Sequence, residues 1–413
     1  MKKTVQHAYF PFSFTFRHLL PFVVMATGAG ALFLTTFLLR LYANPETFSA
    51  WSYLVTYITF FFSFALLGAE QLIIRCAEVT SSGHIRITRA TAYFLMLGAG
   101  TFLVVALVVL NGQLFDYKIH PINLIFLLLA IMGLLILYQT NRLSGAHIIG
   151  QTAMNLWRLV LLLAISGALL FDLPLQIEVL LTIVMTFSAL IGLVISPNVA
   201  QVRLITTCRP EGALFSAFAV SLLTMAILGI FDRLVLENVP FYNGLGFEDY
   251  FYLMTLVVFP FNLLGSYIGY VAARQFRDTL LPRQFFVFTL LILVGTGIAA
   301  MLWSGLLVFV IGSEQIGLPD VSVLVWGLII LLIEIKTAYA LLSSATAVRA
   351  SAKALFLANG FTIIVIIIAG ISSYYWVTST EQVILAFITV WASRYFSFIW
   401  TLKNQWGAKI SAI

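Results

Sequence analysis

LLPFVVMATGAGALFLTTFLLR, at positions 19–40, is an apolar run in which no charged residue occurs before Arg40. A helix needs about 20 apolar residues to cross the roughly 30 Å hydrocarbon core of a bilayer, and this run is long enough. A secretory signal peptide has a shorter apolar region of about 7–15 residues and ends at a small-residue cleavage site. Leu39-Arg40-Leu41 supplies no such site, so the run is predicted to remain as a membrane helix.

The composition of the whole chain is that of a membrane protein. Of its 413 residues, 62% are hydrophobic and 9% are charged, and the mean hydropathy is +1.05. Soluble domains average roughly 45–50% apolar and about 25% charged residues. These values exclude a soluble enzyme, a disordered chain and a nucleic-acid-binding protein with an exposed basic face. The two cysteines, Cys76 and Cys208, are too few for a disulfide framework.

Eleven further apolar runs follow, so the sequence predicts an all-α polytopic protein with twelve transmembrane helices. Strands of a membrane barrel are disfavoured, because they alternate in polarity over about ten residues. The twelve predicted spans lie near 19–40, 50–74, 90–110, 122–138, 149–171, 177–195, 213–235, 250–273, 285–311, 321–343, 354–376 and 382–402. They divide into two six-helix lobes, residues 1–211 and 212–413, joined by a loop near 196–212.

The short loops predict the orientation. If the N-terminus is cytoplasmic, sixteen Lys and Arg residues fall on the cytoplasmic side, and the opposite side receives only Lys118 and Arg40. Both termini are then predicted to be cytoplasmic. The longest predicted outward loop, near 236–249, is too short for a folded domain, so recognition is expected to occur within the membrane.

A sequence repeat relates the two halves. The pattern FxxWxYLxT at 48–56 recurs as FxxYxYLxT at 247–255, and Arg40-Leu41 upstream matches Arg233-Leu234. Because six is an even number of spans, both halves enter the membrane from the same side. The pattern therefore predicts two bundles related by a parallel pseudo-twofold axis, with a site in the cleft between them. Unrelated aromatic interface belts can also look alike, and that alternative stays open.

Charged residues occur inside the predicted spans, where each cation costs roughly 2.5–3.5 kcal/mol to insert. The seven are Glu70, Arg158, Asp232, Arg233, Glu334, Lys336 and Arg394. Arg158 and Arg394 are the most central, and each shares a helix face with a polar side chain three residues away, Asn155 and Ser397. We predict that both arginines line the cleft with these two neighbours, Glu334 and Lys336. The alternative is that each arginine belongs to a buried structural pair.

Other interpretations remain for several of these charges. Arg233 and Lys336 are close enough to helix ends to snorkel to the headgroups. Glu70, Asp232 and Glu334 are the acids available for proton or sodium coupling, although each also has a structural explanation as a partner of a neighbouring helix. The sequence contains no P-loop, no HExxH and no Cys/His cluster with metal spacing. No catalytic residue, metal site or cofactor is predicted.

The layout of two six-helix lobes resembles the multidrug/oligosaccharidyl-lipid/polysaccharide exporter superfamily. Two segments are similar to its O-antigen and polysaccharide flippase branch. In that branch a Gly followed by an Arg closes the second helix, as Gly68 and Arg75 do here. An Asp-Arg-Leu near the end of the seventh helix precedes a Gly-containing loop and an aromatic-rich eighth helix, as residues 232–252 do here.

The resemblance implies a flippase that moves undecaprenyl-diphosphate-linked oligosaccharide from the cytoplasmic to the periplasmic leaflet of a bacterial inner membrane. It implies alternating access through a cationic cavity without a cofactor, apart from proton or sodium coupling. Its expected partners are the lipid-linked cargo and membrane lipids, with a polysaccharide polymerase and a chain-length regulator as candidates. The residues expected to line that cavity are Arg158, Arg394, Asn155, Ser397, Lys336 and Arg233.

Two other functions compete with this interpretation. A multidrug or cation antiporter of the same superfamily needs an acidic residue, typically in the first helix, and residues 19–39 contain none. The central Arg158 and Arg394 favour an anionic cargo instead. A membrane polysaccharide polymerase or ligase carries a large outward loop for its catalytic groups, and the longest such loop predicted here has about fourteen residues.

Overall fold

The structure is a computed structural model that describes residues 16–80, 85–111, 115, 117–196, 203–205, 211–240, 242–278, 282–312 and 315–403. The predicted cytoplasmic termini and most of the predicted linker near 196–212 therefore lie outside the described residues. The described chain is almost entirely helical. In chain order its α-helices are α1 (Phe16–Tyr42), α2 (Pro45–Phe64), α3 (Ala69–Cys76), α4 (Arg89–Asn111), α5 (Pro121–Leu143), α6 (His147–Leu170), α7 (Ile177–Ile195), α8 (Glu211–Asn238), α9 (Phe247–Asp278), α10 (Pro282–Gly305), α11 (Val323–Arg349), α12 (Ala352–Trp376) and α13 (Thr380–Lys403). A π-helix, Leu306–Gly312, follows α10 directly.

The described residues contain eleven helices that are long and apolar enough to cross a membrane. The expectation of an all-α, multi-pass membrane protein is confirmed at this level. The predicted span 50–74 is not among the eleven: α2 is long enough, but its Ser, Thr and Tyr residues make it too polar, and the rest of the span lies in the short α3. The count of twelve membrane helices stays a prediction.

The division between α2 and α3 occurs at two residues with left-handed backbone, Leu67 (φ 48°) and Gly68 (φ 83°). A Cβ atom added to Gly68 would lie 2.6 Å from the Cβ atom of Phe218 on α8, so a larger residue would be both strained and overlapping. Glycine at this position lets the bend pack directly against α8. We call the end of the bundle near this bend the Gly68 end, and the opposite end, where α1 meets α2, the Arg40 end.

A small sheet lies at the Gly68 end and was not predicted from the sequence. Its strands are β1 (Glu78–Val79), β2 (Ile85–Thr88) and β3 (Arg203–Ile205). β1 pairs with β2 antiparallel, with Glu78 opposite Arg86, and β2 pairs with β3 parallel, with Arg86 opposite Arg203. The strands are too short to show a periodic pattern, and the second pairing joins two connections that are far apart in sequence.

Several helix contacts in the first half of the chain have counterparts in the second half, although the extensive packing of α9 on α11 has only a small counterpart between α2 or α3 and α5. In the first half α1 packs against α6, α5 against α7, and α6 against α7. In the second half α8 packs against α12, α11 against α13, and α12 against α13. The halves meet where α2 contacts α8 and where α1 contacts α9. Leu54 and Phe61 of α2 and Tyr250 and Leu253 of α9 are fully buried in the core.

Glu178 organises the loops at the Arg40 end of the first half. Its carboxylate accepts hydrogen bonds from the Tyr117 hydroxyl (3.2 Å), the His120 backbone N–H (2.8 Å) and the Asn123 side-chain amide (2.7 Å). Burial and the nearby Glu178 charge raise the pKa of Tyr117, so its phenol stays protonated and continues to donate. These bonds fix the start of α5 against the start of α7.

Candidate functional site

A polar seam joins the two halves at the Arg40 end, where α2 and α9 begin side by side. Arg40 at the end of α1 forms an ion pair with Asp249 of α9. The Ser49 hydroxyl of α2 donates a 2.7 Å hydrogen bond to Oε1 of Glu248. We use "the seam" for these contacts and for those that Arg233 and Tyr53 make across the same boundary.

Arg233 and Tyr53 cross the boundary in addition to Arg40. Arg233 Nη1 on α8 donates to the Thr56 hydroxyl of α2 at 2.9 Å, and its guanidinium stacks over the ring of Phe251. The Tyr53 hydroxyl donates to the carboxylate of Glu237 at 3.2 Å. The sequence left Arg233 either as a cavity cation or as a snorkelling side chain, and the structure places it in the seam.

Aromatic rings reinforce the seam in a reciprocal manner. Phe48 contacts Tyr252 with ring centroids 6.0 Å apart, and Tyr53 contacts Phe247 with ring centroids 4.3 Å apart. Phe48 and Phe247 occupy the same position of the sequence pattern FxxxxYLxT, as do Tyr53 and Tyr252. Each half therefore presents the same two aromatic positions to the other.

Arg158 lies on α6 beside Asn155, as the sequence predicted. Its Nη1 donates to Oδ1 of Asn155 at 2.9 Å, and its guanidinium stacks over the neighbouring Trp157 ring. Its Nε is buried and has no partner among the described residues. No carboxylate of the described chain lies within 4 Å of it, so this cation has no counter-ion there.

Asn155 is held in place by its own helix and by α1. Its amide nitrogen donates to the backbone carbonyl of Gln151 at 2.8 Å, which aims its oxygen at Arg158. On the other side α1 approaches closely at Gly28, where an added Cβ atom would overlap the Asn155 side chain. The glycine therefore allows α1 to pack onto the pair of Asn155 and Arg158.

Arg394 on α13 is enclosed by neutral groups and is only 1% exposed. Its Nε donates to the Tyr339 hydroxyl of α11 at 2.8 Å, and its Nη1 donates to Oδ1 of Asn359 on α12 at 2.8 Å. Its Nη2 donates to the Ser221 hydroxyl of α8 at 3.2 Å, and the guanidinium stacks over Phe398. We call this arrangement of four helices around one guanidinium the Arg394 hub.

Arg158 and Arg394 each bind an asparagine that is held in place by its own helix. Asn359, like Asn155, donates from its amide nitrogen to the backbone carbonyl four residues earlier, here Leu355 at 2.6 Å, and accepts an arginine Nη1 at its oxygen. The difference lies in the remaining nitrogens of the arginine. All three nitrogens of Arg394 have protein partners, whereas Nε of Arg158 has none among the described residues.

Asp232 and Lys336 form a second charged region inside the second half. Asp232 is 3% exposed, and its Oδ2 accepts a 3.0 Å hydrogen bond from the Tyr250 hydroxyl while its Oδ1 has no partner among the described residues. Lys336 Nζ lies over the rings of Trp391 (5.2 Å) and Phe387 (5.6 Å), within electrostatic range of Asp232 and Arg233.

The remaining candidates lie apart from these groups. Ser397 donates its hydroxyl to the backbone carbonyl of Arg394 rather than meeting the guanidinium. Glu334 faces α10 at Gly297, where an added Cβ atom would overlap its carboxylate. Glu70 is buried in α3, and one of its oxygens has no partner among the described residues. No described contact brings Arg158 and Arg394 together, so their joint lining of one cleft stays a prediction.

The partners of the buried charges were mostly missed from the sequence. Tyr339, Asn359, Tyr250 and Trp391 stand on helices other than those of the charges they contact, and helical spacing carries no information about such pairs. Asn359 is a partner that the sequence could have indicated, because it is an isolated amide in the apolar helix α12.

Nothing in the described residues suggests a metal site, since they contain no group of three or more His, Cys, Asp or Glu side chains that could hold an ion. No protein-family model, curated protein or solved structure matches the chain.

Proposed function

We propose that the protein is a flippase that carries a lipid-linked oligosaccharide, attached through a diphosphate, across a bacterial inner membrane. The observation that carries this proposal is Arg158, a cation on a membrane helix. Among the described residues its buried Nε has no partner, and no carboxylate lies within 4 Å of it. A cation in hydrocarbon that lacks a counter-ion in the protein is suited to an anionic ligand. A diphosphate is such a ligand, because guanidinium binds phosphate through charge-assisted hydrogen bonds.

In this proposal Arg158 contacts the diphosphate, and Arg394 has a different task. The Arg394 hub already occupies every nitrogen of its guanidinium with neutral acceptors from α8, α11 and α12. A ligand would have to displace at least one of them. We therefore assign Arg394 to holding the second half together and Arg158 to cargo recognition.

Alternating access requires two halves that can move against each other, and the contacts support the parallel repeat predicted from the sequence. The reciprocal pairs Phe48–Tyr252 and Tyr53–Phe247 are those expected around a twofold axis, where each partner presents the same patch. The matching packing of α1 on α6 and of α8 on α12 agrees with the same relation. The seam would then be the gate at the Arg40 end.

The distribution of charge supports a cytoplasmic Gly68 end. The described charged side chains near that end include Arg86, Arg89, Arg142, Arg349 and Lys353. The described charged side chains near the Arg40 end are mainly acidic. Positive charge marks the cytoplasmic loops of membrane proteins. Labelling of single cysteines in intact cells with a membrane-impermeant reagent tests this: Lys118→Cys should react from outside and Lys353→Cys should not.

The competing functions find less support in the contacts. A cation antiporter would attract its cargo to an acid, and the described α1 contains none. A polymerase or ligase would need a large loop, but the longest connection at the Arg40 end between described helices is the ten-residue segment 313–322, which follows the π-helix Leu306–Gly312. Efflux of a cationic dye that depends on the protein would favour the antiporter.

A binding experiment with purified protein tests the cargo chemistry. A long-chain polyprenyl diphosphate should raise the thermal unfolding temperature, because a ligand stabilises the state it binds. The corresponding polyprenol, which lacks the phosphates, should raise it much less. Arg158→Ala should lose most of the difference between the two lipids. Equal stabilisation by both lipids would argue against recognition of the diphosphate.

A further inference from the structure

The charged region around Asp232 contains a carboxylate oxygen and an ammonium group that do not meet. Oδ1 of Asp232 is buried without a partner among the described residues, and Lys336 rests on two aromatic rings instead of pairing with it. A carboxylate and an ammonium in a low-dielectric interior attract each other more strongly than an ammonium attracts a ring. This arrangement is the one expected when Asp232 is neutral.

We propose that Asp232 binds an exchangeable proton and that Lys336 is a tethered cation competing for the same oxygen. When a hydronium ion gives its proton to the Asp232 carboxylate, water leaves, the carboxyl group becomes neutral, and the Lys336 ammonium moves onto Trp391 and Phe387. When the proton leaves, Lys336 returns to Asp232 and pairs with it. The inference rests on the proposed transport function, to which it adds the driving ion.

The surroundings of Asp232 favour a proton over a sodium ion. The groups that face it from other elements are the Tyr250 hydroxyl of α9 and the Lys336 ammonium of α11, and Arg233 is its neighbour on α8. Hard metal cations need a shell of several oxygen ligands. Two nearby cations and one hydroxyl are a poor shell for sodium, whereas a proton needs only the carboxylate.

The position of Lys336 connects this exchange to the rest of the second half. Lys336 and Tyr339 stand three residues apart on α11, and Trp391 and Arg394 stand three residues apart on α13. The contact of Lys336 with Trp391 therefore lies one turn from the contact of Tyr339 with Arg394. A movement of Lys336 would act directly on the Arg394 hub, which also holds α8 and α12.

Infrared titration of the purified protein tests the proposal without any cargo. The carbonyl band of a protonated carboxylic acid should appear as the pH is lowered, and Asp232→Asn should remove one such band. Glu70→Gln is the matched control, because it removes a different buried acid and should leave the Asp232 band in place. An Asp232→Asn spectrum identical to that of the wild type would overturn the proposal.

Two variants that change how Lys336 competes for Asp232 should move the midpoint of the infrared titration in opposite directions. Lys336→Gln removes the cation that favours the carboxylate, so the midpoint should move to higher pH by about one unit, a tenfold change in proton affinity. Phe387→Leu removes one of the two rings under the Lys336 ammonium. Because this favours pairing of Lys336 with the Asp232 carboxylate, the midpoint should move to lower pH. An unchanged midpoint in Lys336→Gln overturns the proposal. If that variant does not fold, an unchanged midpoint in Phe387→Leu overturns it.

The choice of ion and the proposed function are tested separately. Replacing potassium by sodium should leave the midpoint in place, and a midpoint that depends on sodium would contradict a proton site. Failure of the flippase assignment would appear as unchanged lipid binding in Arg158→Ala, which does not affect the infrared result. A missing Asp232 band, conversely, leaves the Arg158 result standing.

Discussion

Ser49 of α2 donates a 2.7 Å hydrogen bond to Glu248 of α9, and the two residues hold the same position in the repeated sequence pattern of the two halves. A contact between equivalent positions is the one expected on a twofold axis. The Arg40–Asp249 ion pair and the aromatic pairs lie around it. The seam therefore joins the two halves of the chain at the Arg40 end, and the proposed transport would require these contacts to open.

Cross-linking of the seam should stop transport. In a background without Cys76 and Cys208, Ser49→Cys with Glu248→Cys, joined by a short thiol reagent, should abolish flipping, and reduction should restore it. The matched control is Ser322→Cys with Glu381→Cys, which links α11 to α13 within one half at a 2.8 Å hydrogen bond. Full transport by the protein cross-linked at 49 and 248 would rule out the seam as a gate.

Arg394→Ala should destabilise the protein more than Arg158→Ala. Loss of Arg394 leaves Tyr339, Asn359 and Ser221 without their partner, and each unsatisfied buried group costs about 1–3 kcal/mol. Loss of Arg158 leaves only Asn155 unpaired. Thermal unfolding in detergent measures the difference. Equal losses, or a larger one in Arg158→Ala, would contradict the division of roles between the two arginines.

Asn155→Asp should weaken diphosphate binding. The new carboxylate would lie at the Asn155 oxygen, 2.9 Å from Nη1 of Arg158, and would neutralise that cation. Charge-assisted hydrogen bonds are worth roughly 1.5–3 kcal/mol, so the lipid should bind about ten- to a hundredfold more weakly. The polyprenyl diphosphate stabilisation assay measures this. Asn155→Ser, which adds no charge, should retain more of the binding.

Two glycines on α1 provide a matched test of helix packing. Gly28→Ala should destabilise the protein by about 1–3 kcal/mol, because the added Cβ atom would overlap Asn155 and force α1 away from α6. Gly30→Ala places its Cβ atom in open space and should be neutral or stabilising, since Ala favours a helix over Gly by roughly 1 kcal/mol. The two substitutions should therefore change the thermal unfolding temperature differently, with a decrease only for Gly28→Ala. The same decrease in both variants would contradict the α1–α6 contact.

The sequence was informative where the fold depends on local pattern. Apolar runs located the long helices, and spacing on one helix correctly joined Arg158 to Asn155. It was uninformative where contacts join distant parts of the chain. The β2–β3 pairing, the Tyr339 and Asn359 partners of Arg394, and the aromatic platform under Lys336 all depend on how separate helices or loops meet. The bend at Leu67 and Gly68 was also missed, because an apolar run predicts length but not left-handed backbone.

In the proposed function, Arg158 recognises the diphosphate of a lipid-linked cargo that the protein moves between leaflets. Its most direct test is a flipping assay in vesicles that hold the purified protein and a polyprenyl-diphosphate oligosaccharide with a fluorescent sugar, read with a membrane-impermeant quencher. Wild-type protein should bring the label of both leaflets within reach of the quencher. At limiting cargo, Arg158→Ala should slow this about ten- to a hundredfold, and Arg158→Lys should restore part of the rate. A wild-type rate in correctly inserted Arg158→Ala would rule out Arg158 as the residue that recognises the diphosphate.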